Sequence, residues 1–148
     1  MRVEKDFKEF IGSLNKNSVR YLIIGSFALS YYAEPRYTKD IDFLIDSTPS
    51  NADRLMTAIR EFGLSDIELG SRDILEPGQV IQLGIAPLRI DLLTSLKGIP
   101  FTDAWDRRTA GKYGDIPAFY ISKQDLIDHK KLVGRKQDLA DIEKLSKA

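Results

Sequence analysis

Apolar and polar positions alternate along the chain with two distinct periods, and the switches between them mark the elements. Phe7, Phe10, Ile11 and Leu14 recur at helical spacing, so the spacing predicts an amphipathic helix over 5–14. Tyr21-Leu22-Ile23-Ile24 is a short, wholly apolar run and reads as a buried strand. Gly25-Ser26 breaks it, and Ser26 is the expected N-cap of a helix through Phe27, Ala28, Leu29 and Tyr32 that Pro35 ends. From Asp40 to Asp46 the period becomes two. Ile41, Phe43 and Ile45 take one face of a strand, and Asp40, Asp42, Leu44 and Asp46 take the other.

Ser50 is expected to open the next helix, with Leu55, Met56, Ile59 and Phe62 on one stripe and Gly63 as its stop. A minor strand is expected over 66–69. Strands at 80–83 and 88–93 follow, joined as a hairpin through Gly84-Ile85-Ala86-Pro87. In the second, Leu88, Ile90 and Leu92 share one face, and Arg89, Asp91 and Leu93 the other. Phe101, Ala104, Trp105 and Arg108 predict a short helix, and 112–121 a turn-containing strand pair. Ser122 opens a last helical region, interrupted at Gly134, with Leu139, Ile142 and Leu145 as its final apolar stripe. Interleaved strands and helices with an antiparallel hairpin define an α+β class: a mixed sheet with flanking helices and C-terminal helices.

Composition narrows the chemistry. The 148 residues, 43% of them hydrophobic, suit one domain over 1–148 with a single core. No apolar run is long enough to span a bilayer, and Met1–Asp6 has no apolar segment of the secretory kind, so no membrane association is expected. Cysteine is absent, which excludes thiolate chemistry and fits a reducing, cytoplasmic setting. Lys plus Arg equals Asp plus Glu at 22 each, which disfavours extensive non-specific nucleic-acid binding. With His129 the only histidine, a metal here would sit among carboxylate oxygens, which points to Mg2+ or Mn2+.

Asp40 and Asp42 leave the same strand face with Cα atoms about 6.6 Å apart, at ~3.3 Å per residue. Acidic residues on a strand's solvent face are common, but aspartate is a poor strand former, and two that repel one another ask for a cation. Asp91 is the natural third carboxylate if the two strands are neighbours. Gly25-Ser26 stands between a strand and a helix, where backbone N–H groups and the helix dipole favour an anion; the bland alternative is a tight turn with a helix cap.

The stretch from Leu22 to Asp46, with Gly25-Ser26 and Asp40-Ile41-Asp42, resembles the signature of the DNA polymerase β-type nucleotidyltransferase superfamily. Its likeness is to the minimal nucleotidyltransferases related to abortive-infection and toxin–antitoxin enzymes. Arg36-Tyr37-Thr38-Lys39-Asp40-Ile41-Asp42 is similar to that subgroup's Arg-x-Thr-x-Asp-x-Asp run. Gln82–Thr94 resembles the strand that bears the third carboxylate, here Asp91. Asp125–Ile142 resembles the closing helices, with Lys130, Arg135, Asp138 and Asp141 at matching places. Ser26 stands where glycine is the commoner residue.

The resemblance implies a polymerase β-like fold. It implies metal-dependent transfer of a nucleoside monophosphate from a nucleoside triphosphate, such as ATP, to a hydroxyl of a protein, RNA or small molecule. Asp40, Asp42 and Asp91 would hold the metal and carry catalysis, with Asp91 as general base. Gly25 and Ser26 would contact the triphosphate, and Arg36, Lys39 and Lys130 would neutralise phosphate charge. A helical toxin or antitoxin partner is implied too. The rival reading is an antitoxin-like or regulatory nucleotide-binding module without turnover. Arg135 and Asp138 are expected to form a structural i,i+3 pair, His129 to lie on a helix surface, Trp105 to join the core, and Tyr31 and Tyr32 to pack locally.

Overall fold

The computed structural model describes residues 3–64, 68–84 and 88–148. Seven helices and six strands are present among them: α1 (Lys5–Lys16), β1 (Tyr21–Ile24), α2 (Gly25–Tyr32), β2 (Asp40–Ile45), α3 (Pro49–Phe62), α4 (Ser71–Leu75), β3 (Val80–Leu83), β4 (Arg89–Leu93), α5 (Phe101–Asp106), β5 (Thr109–Tyr113), β6 (Ile116–Tyr120), α6 (Lys123–Val133) and α7 (Lys136–Lys147). The strands form one mixed sheet in the order β3-β4-β2-β1-β6-β5. The β2–β4 and β1–β6 pairs are parallel and the other three are antiparallel. The architecture is therefore α+β, with helices flanking a six-stranded mixed sheet and two helices closing the chain. No helix among the described residues is long and apolar enough to cross a membrane.

Register assigns the faces, because residues directly opposite one another across a ladder point the same way. Tyr21, Ile23, Ile41, Phe43, Ile45, Ile90 and Leu92 share one face. α1 covers part of it, with the Phe10 ring 5.5 Å from Phe43 and 5.2 Å from Phe62 of α3. These rings meet edge to face, the arrangement aromatic quadrupoles favour. The opposite face carries Ile24, Asp40, Asp42, Leu44, Arg89, Asp91 and Leu93. The expected alternation is thus observed from Asp40 to Ile45 and from Arg89 to Leu93, with Asp46 and Leu88 outside the strands, and buried residues of both faces belong to one core cluster.

Several boundaries differ from expectation. Ser26 does not cap α2: Ile24 occupies that position, no side chain caps the helix, and Gly25 and Ser26 are its first two residues. α2 stops at Tyr32, three residues before Pro35. α3 begins at Pro49 rather than Ser50, using the ring's fixed φ at the first helical position. Arg108 lies beyond α5 and covers Trp105 instead of extending the helix. The strand pair begins at Thr109, earlier than 112. The strand expected over 66–69 falls partly outside the described residues, as do residues 85–87 of the hairpin connection; Glu68 and Leu69 are not in a strand.

The last helices carry the most informative difference. Ser122 caps α6, its hydroxyl accepting from the Asp125 N–H at 3.0 Å. Gly134 then turns the chain at φ +68, a conformation that suits a residue without Cβ. In α7, Leu139 faces solvent with 58% exposure, whereas Asp138, Asp141 and Leu145 are buried. The inward stripe is therefore partly acidic. Periodicity of apolar residues alone misplaces such a helix, because carboxylates enter a core when cations meet them there.

Candidate functional site

The site begins where β1 ends. Ile24 is opposite Asp42 in the β1–β2 ladder, so Gly25 arrives beside the Asp42 carboxylate. Gly25 has φ +67, and a Cβ built on it would fall on Asp42 Oδ2 and stand 3.4 Å from Asp42 Cγ. Only glycine meets both demands. The chain then enters α2, whose first N–H groups have no partner within the helix.

On the other side of Asp42, the parallel β2–β4 ladder puts Asp42 opposite Asp91 and Asp40 opposite Arg89. All three aspartates therefore share one face of adjacent strands. They do not share one environment. The Asp40 side chain is 42% exposed and accepts a hydrogen bond from Arg89 Nη2 at 3.1 Å. Asp91 is buried, and its Oδ1 has no hydrogen-bond partner. Arg89 Nε stands 3.4 Å from that oxygen, close enough to lend charge but without hydrogen-bond alignment. Asp42 lies between them, and its carboxyl is pushed up to about 7. Burial is the largest cause, followed by the charge of Asp91 and a hydrogen bond with it, then the charge of Asp40; Arg89 opposes the shift.

Across from these strands stand the C-terminal helices. A cavity of about 230 Å³ is lined by Gly25 and Asp42 on the sheet side and by His129, Lys130, Arg135 and Asp138 on the helix side, with Ile24, Leu93 and Leu126 among its apolar walls. Ser26, Arg36, Lys39, Asp40 and Asp91 stand outside that lining. Lys130 is buried, with Nζ 3.0 Å from Asp141 Oδ2. The Arg36 guanidinium pairs with the other oxygen of the same carboxylate. Arg36 and Lys130 are thus held together, whereas Lys39 is exposed.

Of the remaining side chains, Arg135 and Asp138 form the expected i,i+3 pair at 2.7 Å. Tyr31 and Tyr32 pack edge to face at 5.1 Å, with Tyr31 also stacked on Tyr120 at 4.0 Å. Trp105 is partly buried against the core, packs against Phe101 and Phe119 and lies 3.9 Å beneath the Arg108 guanidinium. His129 lies on α6, as expected, at the edge of the cavity. It is half-buried in the cavity wall with Nδ1 3.4 Å from the Lys97 carbonyl. Burial is the main cause that holds its imidazole below its ordinary value, and the Lys130 charge adds to it.

Among the described residues, no group of three His, Cys, Asp or Glu side chains is arranged to hold a metal ion. The donor chemistry nevertheless suits a hard cation. Two facing carboxylates, one with a buried oxygen that lacks a hydrogen bond and one driven toward protonation by its neighbours, are oxygen donors short of positive charge. Arg89 now supplies part of that charge. No protein-family model matches this chain, and no curated protein matches it.

Proposed function

We propose that this chain is a metal-dependent nucleotidyltransferase with the polymerase β-type fold, moving a nucleoside monophosphate from a nucleoside triphosphate to a hydroxyl acceptor. One observation carries the reading: Asp42 and Asp91 face each other in register beside Gly25, with Lys130 across the same cavity from Asp42. The site thereby opposes an acidic pair to a cation over a space floored by glycine backbone. A polyphosphate with a divalent cation is complementary to both halves.

In this reading Asp42 and Asp91, joined by Asp40, would hold Mg2+ or Mn2+. When bound, the cation supplies charge neutralisation at the phosphate oxygens. Gly25 brings bare backbone to the phosphates, where a side chain would collide with Asp42. Lys130 meets phosphate charge from the helix side. In this reading Asp91 would be the base that takes the acceptor hydroxyl proton. The acceptor oxygen forms its bond to the α-phosphorus as the bond from that phosphorus to the bridging oxygen breaks, and pyrophosphate leaves with the electron pair. Water exclusion falls to Ile24, Leu93 and Leu126.

The test is incubation with each labelled triphosphate, magnesium or manganese, and candidate acceptors, alongside thermal shift. A metal-dependent shift and a labelled product that both vanish in Asp42→Asn are expected. No shift and no product with any of the four triphosphates would overturn the proposal. One observation favours a second reading, a module that acts through a helical protein partner. Leu132, Val133 and Leu139 are exposed on α6 and α7, and Val133 lines the cavity. Normal partner binding by a chain that never responds to triphosphate would favour it.

A further inference from the structure

Five charged side chains from three segments meet beside the cavity. Arg36 comes from the connection between α2 and β2, Lys130 from α6, and Arg135, Asp138 and Asp141 from the start of α7. Three cations face two carboxylates, so the group carries one net positive charge. Asp141 is 1% exposed and accepts from three donors: the Arg36 guanidinium, Lys130 Nζ at 3.0 Å and Gln137 Nε2 at 2.8 Å.

The two carboxylates do different work. Asp138 accepts from the Arg135 backbone N–H at 3.1 Å and from Arg135 Nε at 2.7 Å, which starts α7 and satisfies its first turn. Asp141 lies one turn further on, where the helix needs no cap. Burying charge there is no route to stability, since a well-packed apolar replacement of a buried ion cluster is often as stable or more so. What a buried carboxylate does supply is orientation. A lysine is a point charge on a flexible stem with three donors, and an arginine carries five. Asp141 fixes Lys130 through one oxygen and Arg36 through the other, and leaves each cation donors to spare. Lys130 lines the cavity that holds Gly25 and Asp42, and Arg36 stands four residues before Asp40 on the segment that enters β2.

We infer that Asp141 is a positioning residue, acting through Lys130 and Arg36 to set both cations where the phosphates of an oligophosphate ligand meet them. The inference rests on the nucleotidyltransferase reading and gives α7 a share in that site: without its docking, the two cations lose their common anchor.

The experiment is calorimetric titration of the full chain with magnesium pyrophosphate, with melting curves recorded first to establish that each variant folds. Asp141→Asn is expected to weaken pyrophosphate binding at least tenfold, and Asp141→Glu to restore most of it. In an Arg36→Met/Lys130→Met background, Asp141→Asn is expected to add no further loss, a result that general loosening of α7 does not produce. Equal affinity in wild type and Asp141→Asn overturns the positioning role and leaves the nucleotidyltransferase reading standing. So does an undiminished loss in the doubly substituted background. A wild type that binds neither magnesium pyrophosphate nor any magnesium triphosphate overturns the reading itself. If Asp141→Asn fails to fold, the single Arg36→Met and Lys130→Met variants decide. Weakening by both supports the inference, and unchanged affinity in either overturns it.

Discussion

Asp42→Asn is the substitution on which the electrostatics of the site can be tested most directly. In the folded, metal-free chain the Asp42 carboxyl is raised from an ordinary 3.8 to about 7, by burial first and by Asp91 second. At ~1.4 kcal/mol per tenfold change in proton affinity, the ionised form is disfavoured by about 4 kcal/mol as a ceiling. Water access and relaxation around a half-buried group reduce this to about 1–3 kcal/mol. The sign follows from linkage. The folded state binds this proton more tightly than the unfolded state, so the protein loses stability as pH rises from about 4 to about 7. Asparagine has nearly the same shape, carries no charge, and offers an amide N–H₂ to the Asp91 oxygen that has no hydrogen bond.

The variant should therefore be more stable than wild type at pH 8 in chelator, with a melting temperature higher by roughly 3–8 °C for a chain of this size. The advantage should shrink to nothing near pH 4. Saturating magnesium should raise the wild-type melting temperature and leave the variant's unchanged. Melting curves at four pH values, with and without magnesium, measure all of this. A variant less stable than wild type at pH 8, or a difference that does not change with pH, would refute the account of Asp42 as a carboxylate short of compensating charge.

Gly25→Ala should destabilise the protein by about 1–3 kcal/mol in urea unfolding, since φ is +67 and the new Cβ meets Asp42 Oδ2; an unchanged midpoint would contradict the close approach. Asn51→Ala should cost about 2–4 kcal/mol, because Asn51 is fully buried, donates to the Arg20 and Asp46 carbonyls at 3.1 and 2.8 Å, and accepts from the Arg20 N–H at 2.8 Å. A cost under about 0.5 kcal/mol would show that water replaces it. Asp138 is held below the ordinary carboxylate range, chiefly by its hydrogen bond from Arg135. Its contribution is therefore present above about pH 4 and lost as pH falls through the lower folded value. Asp138→Asn should flatten that acid limb of the stability curve, and an acid limb identical to wild type would rule the pair out as its source.

How far the sequence reaches into this structure depends on what each residue needs from its neighbours. The strands were legible because their signal is local. Residues 40–46 alternate cleanly, and the sheet preserves that phase, so the common face of Asp40, Asp42 and Asp91 follows from two strands becoming neighbours. Gly25 was legible as a break, but its second constraint, the Asp42 carboxylate where a Cβ would stand, arises only from the β1–β2 register. Ser26 was misplaced because a serine at a strand-to-helix junction is a good cap by type, yet the helix begins one residue before it.

The helix side of the site shows in the family resemblance, which names Lys130, Arg135, Asp138 and Asp141, but not in the periodicity of the chain. Lys130, Asp138 and Asp141 look like ordinary surface charges in a helical sequence, and the apolar stripe through Leu139 looks like the core. Asp138 and Asp141 are buried because cations meet them there: Lys130 from α6, Arg36 from the connection before β2, and Arg135 from the start of α7 itself. No window along the chain contains that condition for Asp141, since Arg36 lies 105 residues away. His129 follows the same logic, since other residues of the cavity wall reach it from β1, β2 and the start of α7. Local periodicity therefore reveals the acidic half of the site, and three-dimensional charge pairing reveals the basic half. Different physical constraints fix the two halves, and the proposed polyphosphate with its divalent cation is the ligand that would test whether they act together.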